Sequence, residues 1–177
     1  MMSEYLPVIY LSVLLILLSG TALFLLRQVF KTRQVESTFS RLQKKLQKEK
    51  GTAKEYYELG SIYLDKKLFV QAINLLQKAL KTDEEIEPEN KALIYNALGY
   101  AYFSQEQYEL AIRNYKEALK LYPEYAIALN NLANVYERKQ MAIKALETYE
   151  ETLKFEPNNA VAKRRAESLR KRFVSSN

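Results

Sequence analysis

Asn96, Asn130 and Asn134 are the side chains in this sequence whose type and spacing suit recognition. The first two lie 34 residues apart and the third follows one helical turn later. A carboxamide both accepts and donates, so a column of them matches the alternating N–H and C=O groups of an extended polypeptide. Tyr57, Tyr100 and Phe103 supply flat apolar surface beside that column, with Ser61 and Arg138 at matching register positions. These eight residues are the expected recognition surface, and its chemistry is the holding of a peptide segment.

Bond-making chemistry has no comparable set of residues. The 177-residue chain has no histidine and no cysteine, which removes the commonest metal ligand, the usual acid–base group near neutral pH and any thiolate nucleophile. Only four glycines are present and none builds a phosphate-cradling loop. Glu106 and Glu109, and likewise Glu147, Glu150 and Glu151, read as solvated charges on helix faces rather than a facing carboxylate pair. The chain is expected to catalyse nothing and to need no pigment, metal or cluster cofactor.

What places the amides on one surface is a repeat. Counting from Ala92, the stretch to Tyr125 carries Tyr95, Leu98, Gly99, Tyr102, Ala111, Tyr115, Ala118 and Pro123. This spacing resembles the tetratricopeptide repeat, a hairpin of two antiparallel helices about 34 residues long. Gly99 and Ala111 stand where the helices pass closest. One hairpin cannot bury its apolar faces alone, so neighbours are required. Residues 53–91 supply one with Tyr56, Leu59, Gly60, Tyr63, Ala72, Leu76 and Ala79. Residues 126–158 supply another with Leu129, Leu132, Ala133, Tyr136, Ala145, Tyr149 and Pro157. Ala133 replaces the usual glycine and Thr152 a usual alanine, and both remain small. Residues 159–177 form a basic cap and tail, in which Ala162, Ala166, Leu169 and Phe173 face the last hairpin. The fold class is therefore all-α, a solenoid of three hairpins with a capping helix, seven helices between about 53 and 173.

The first helices of successive repeats line the concave side. Positions two, five, nine, twelve and thirteen point inward: Lys54, Tyr57, Ser61, Leu64 and Asp65; Leu93, Asn96, Tyr100, Phe103 and Ser104; Ile127, Asn130, Asn134, Glu137 and Arg138. Some tetratricopeptide domains grip the C-terminal carboxylate of chaperones with basic and amide groups. Tyr57, Ser61, Ile127 and Asn131 stand in those places here, so the groove departs from that pattern.

Between the first two repeats the spacing lengthens to 39 residues. The surplus TDEEIEPEN is an acidic loop, expected to hold Pro88 and Asn90 ahead of the next helix. It reads either as a plain surface loop or as a contact for a basic partner.

Tyr5 to Leu26 is an uncharged run of twenty-two residues, about 33 Å as a helix, enough to cross a bilayer. A cleaved signal peptide is the rival, but its basic start is missing. The chain begins MMSE, and Arg27, Lys31 and Arg33 follow the apolar run. A retained anchor over 1–30 is expected, with the repeats on the positive, cytoplasmic-type side. Residues 31–52 form a basic neck with Val35, Phe39, Leu42 and Leu46 on one stripe. That stripe is suited to headgroups, to the first repeat, or to an ordinary linker helix. Charge is unevenly spread. Residues 27–50 carry eight Lys/Arg against two acids, while residues 51–158 carry thirteen against seventeen. A basic neck on a mildly acidic body suits a membrane surface rather than nucleic acid.

Anchor, neck, three repeats and the lengthened gap together resemble the small photosystem I assembly-related proteins of cyanobacteria and algal plastids. The resemblance implies a single-pass thylakoid protein, its repeats in stroma or cytoplasm, that helps build or stabilise photosystem I by binding its protein subunits. Two other readings fit the residues. One is a bacterial membrane-anchored adaptor in envelope assembly, secretion or quality control; the other is a permanent structural subunit of a membrane complex.

Overall fold

A computed structural model describes residues 2–175, with side chains described for residues 10–173. Every regular element among them is an α-helix. Helix α1, Met2–Lys48, is continuous through both the apolar run and the basic neck. It is long and apolar enough to cross a membrane, and none of its apolar window is buried. Gly20 has open space where a Cβ would stand.

The repeat body has the seven helices read from the pattern: α2 (Ala53–Asp65), α3 (Phe69–Leu80), α4 (Pro88–Ser104), α5 (Tyr108–Leu121), α6 (Ala126–Arg138), α7 (Ala142–Phe155) and α8 (Ala160–Ser175). They pair as α2–α3, α4–α5 and α6–α7, and α8 packs on α7. Helix α2 starts on a capping box. The Thr52 hydroxyl accepts from the Glu55 N–H at 3.2 Å, while the Glu55 carboxylate accepts from the Thr52 N–H at 3.1 Å.

Inside each hairpin the turn is the same device. Lys67, Glu106 and Gln140 occupy equivalent positions with φ of 60°, 59° and 59°. The next residue in each case reaches back to a tyrosine carbonyl: Leu68 to Tyr63, Gln107 to Tyr102 and Met141 to Tyr136, at 2.9, 2.9 and 2.8 Å. This is a Schellman closure of the first helix. The residue that closes it also opens the second helix, because the carbonyls of Leu68, Gln107 and Met141 accept from Ala72, Ala111 and Ala145. Left-handed backbone costs a residue with a Cβ about 1 kcal/mol, so the three turns hold mild strain that the packing on either side enforces.

Packing concentrates where the sequence placed its small residues. A Cβ on Gly99 would meet Tyr115 Cδ1 and Cε1 at 2.6 Å, and one on Gly60 would meet Leu76 Cγ at 3.0 Å. Ala72, Ala111, Ala118, Ala133 and Ala145 are fully buried. Burial pushes the Tyr115 hydroxyl far above the ordinary tyrosine range. It does the same to Tyr149, helped by the hydrogen bond to Glu137. At the end of the stack Ala162, Ala166 and Leu169 are buried and Phe173 packs on the same cluster, which confirms the cap.

One boundary differs from expectation. Pro88 and Asn90 lie inside α4, which begins at Pro88 and has 17 residues. Proline is favoured at the first helical position, where its missing N–H was an orphan anyway, and Glu89 in that turn suits the helix dipole. Part of the extra spacing is thus wound into a helical turn.

Two outcomes check this packing. Gly99→Leu will lower stability by about 2–3 kcal/mol, since the added side chain meets a buried ring with nowhere to move. A thermal melt within a degree of the parent would contradict it. Lys67→Gly, Glu106→Gly and Gln140→Gly will each leave stability unchanged or raise it by up to about 1 kcal/mol, because relief at positive φ opposes the extra freedom of unfolded glycine. Chemical denaturation of the triple variant measures the sum; a clear loss would contradict it.

Candidate functional site

The concave face is built from α2, α4 and α6, and the structure sorts the expected residues into three groups. Asn96 sits in a hydrogen-bonded bridge. Its Oδ1 accepts from Asn131 Nδ2 at 3.0 Å, and its Nδ2 donates to the Tyr125 hydroxyl at 3.3 Å. The amide nearest in register, Asn130, is not its partner. A helix turns about 100° per residue, so Asn130 and Asn131 cannot both meet the same neighbour. Asn131 takes the cross-repeat bond and ties α4 to α6.

Asn130 is left with a side-chain oxygen closed off from solvent and without a hydrogen-bond partner. An unpaired buried acceptor costs about 1–3 kcal/mol, so this position carries unfilled hydrogen-bonding capacity at the middle of the row. Asn134 is half-buried one turn on, and Arg138 is exposed at the end of α6. Neither makes a side-chain hydrogen bond or ion pair among the described residues. Tyr100 is 45% exposed, with its ring edge-on to Phe69 at 6.5 Å between centroids.

Three other expected residues are partly spent on the fold. The Ser61 hydroxyl donates to the Tyr57 carbonyl at 2.8 Å, back along its own helix. Phe103 packs with Tyr108 at 5.9 Å against the core cluster. Tyr57 is half-buried against another cluster, yet it also lines a cleft beside the acidic loop. Glu137, an inward position by register, accepts from the Tyr149 hydroxyl at 2.8 Å and faces Arg165 at 3.8 Å. Its charge is therefore compensated within the fold.

Sequence reasoning missed Tyr125 and the way the acidic loop packs on the body. Tyr125 stacks on Tyr122 at 5.5 Å, and its hydroxyl titrates above the ordinary range, chiefly because burial disfavours the phenolate. The signal was available in its position as the last residue before α6, where a long side chain reaches back across the groove. In the loop, Ile86 packs on the apolar cluster and the Glu84 carboxylate accepts from the Ala53 N–H at 3.1 Å. The carboxylate thus serves an orphan donor at the start of α2. No group of three or more metal-ligating carboxylates occurs among the described residues.

Paired helices with an open concave face define a tetratricopeptide-repeat protein. The repeat-family profiles match residues 52–124 and 96–160, both described as tetratricopeptide repeat. The crystal structure of MamA aligns with a TM-score of 0.71 at 26% identity, covering 80% of each chain. Among sequences, the ycf37 protein of Cyanophora paradoxa is 43% identical over 118 residues, spanning 67% of this chain and 68% of its own length. The ycf37 protein of Guillardia theta is 35% identical, spanning 77% of each. The chloroplastic tetratricopeptide repeat domain-containing protein PYG7 of Arabidopsis thaliana is 35% identical over 74% of this chain, which spans 43% of that protein. The chain belongs to the ycf37 family.

The bridge and the orphan predict different outcomes for neighbouring asparagines. Asn96→Ala will cost about 1 kcal/mol, since it strips partners from both Asn131 and Tyr125. Asn130→Ala will leave stability unchanged or slightly raised, because it removes an unfilled acceptor. Parallel urea titrations separate the two; equal losses would contradict the assignment.

Proposed function

We propose that the chain is a non-catalytic, membrane-anchored scaffold whose concave groove holds a segment of a photosystem I subunit during assembly of that complex. The observation that carries the binding role is the row Asn130, Asn134 and Arg138. Asn134 and Arg138 present hydrogen-bonding capacity and charge that the fold does not use, and half-buried Asn130 beside them has a side-chain oxygen the fold leaves unfilled. The photosystem follows from the family resemblance together with membership among the ycf37 proteins.

Division of labour along the chain supports this reading. Residues 1–30 serve as a single-pass thylakoid anchor, with Arg27, Lys31 and Arg33 keeping the repeats on the stromal or cytoplasmic side. Residues 31–52 are the neck, 53–158 the repeats and 159–177 the cap and tail. Tethering at the membrane raises the effective concentration of the groove near membrane subunits without any added contact. Tyr57, Tyr100 and the open part of Phe103 give the bound segment apolar contact, Ser61 and Asn96 border it, and Asn130, Asn134 and Arg138 supply polar partners.

Affinity purification of the tagged full chain from mildly solubilised membranes tests the proposal. Photosystem I subunits will be enriched over a control anchored protein, and the double variant Asn130→Ala/Asn134→Ala will reduce that enrichment with folding intact. Absence of enrichment would remove the photosystem reading. Undiminished capture by the variant would move binding away from the groove.

A further inference from the structure

The loop between α3 and α4 makes one end of the groove unlike the other. Ile86 and Glu84 pin it beside α2 and α4, where it closes a cleft of about 390 Å³. Tyr57, Ile86, Leu93 and Ile94 give the cleft apolar walls, and Glu84, Glu85 and Glu87 line its edge. Lys54 is the one cation among its lining residues. Glu84 is engaged with the start of α2, whereas Glu85 and Glu87 are exposed and without an ion-pair partner among the described residues.

The far end has the opposite sign. Helix α8 continues the register of α6 at an offset of 34, since Ala162, Ala166 and Leu169 are buried as Ala128, Leu132 and Val135 are. Arg164 and Lys171 therefore stand where α6 places Asn130 and Glu137, on the inward side of a fourth first helix. Both are exposed, as is Arg138, and none of the three has an ion-pair partner among the described residues. Glu137, the acid that would offset them, is already satisfied by Tyr149 and Arg165.

We propose that the groove has an electrostatic direction. The cleft at the α2–α4 end takes a lysine or arginine with an apolar neighbour, and the α6–α8 end takes acidic side chains. This rests on the reading that a partner segment lies in the groove, and it specifies that segment. Its basic-apolar part and its acidic part are segregated along its length. A lysine or arginine stem can cover the apolar walls while its charged head reaches Glu85 and Glu87 at the mouth. Charges of this kind at a rim act mainly on register and partner choice, and they weaken with salt. Four first helices about 10 Å apart span about 30 Å, which an extended segment of about ten residues covers.

The test uses the full chain in nanodiscs of zwitterionic lipid, so that no anionic headgroup competes for a basic peptide. Two labelled peptides of about ten residues share one composition. One separates Lys-Leu and Glu blocks and is made in both chain directions; the other alternates its charges. Fluorescence anisotropy will show the segregated peptide, in one direction, binding about tenfold tighter than the alternating one. Glu85→Lys/Glu87→Lys will abolish that advantage while the chain keeps its helical circular dichroism and a cooperative melt, and Arg138→Glu/Arg164→Glu will do so from the other end. Equal affinities, or an advantage kept after the Glu85→Lys/Glu87→Lys reversal, would overturn the direction. In the equal-affinity case Asn130→Ala/Asn134→Ala decides the groove itself: weaker binding of both peptides keeps it, and no change removes it.

Discussion

Helices in this repeat body approach one another as closely as a missing or minimal side chain allows, and the rest of the arrangement follows from that approach. Gly99 lets the Tyr115 ring lie directly on the α4 backbone, and Gly60 does the same for Leu76 on α2. Each contact fixes the separation of one hairpin. The alanines that line the neighbouring positions then carry the stack from one hairpin to the next, through to Ala162 and Ala166 of the cap. The left-handed residues Lys67, Glu106 and Gln140 are held in their unfavourable conformation by these crossings on either side of the turn.

Because the close crossings use up one face of each first helix, the opposite face is left to line the groove. The fold spends part of it. Ser61 turns back on its own helix, Phe103 joins the core, and Asn96 bridges to Asn131 and Tyr125. The inward side chains without a partner in the fold are fewer than the register implies and are weighted toward α6 and α8. A spent and an unspent amide thus stand side by side, as at Asn131 and Asn130, which differ by a single step around one helix.

The extra residues between the first two repeats show how an insertion acquires a role without disturbing the stack. They supply a helical turn through Pro88, a ligand for the Ala53 amide through Glu84, and an apolar pin through Ile86. The loop then stands as a wall at one end of the groove, with its remaining acids directed to solvent. An acidic loop after the first repeat and a basic last helix are visible in the sequence, but only the folded structure brings Glu85 and Glu87 to a cleft and shows which basic residues stay unpaired.

By itself the sequence determined the all-α repeat architecture, the helix pairing, the capping helix and the apolar leading segment, because each depends on local pattern: small residues and tyrosines recurring at 39 and then 34, and one unbroken uncharged run. It also determined which residues lie on inward positions, since register along a helix is a matter of counting. The tertiary structure alone decided which of those side chains remain available. Whether Asn96 meets Asn130 or Asn131, whether Glu137 faces a partner or Tyr149, and whether Glu84 caps a helix depend on distances between elements far apart in the chain. Such distances are set by how whole helices pack and carry no local period, so they become legible only once the helices are in place.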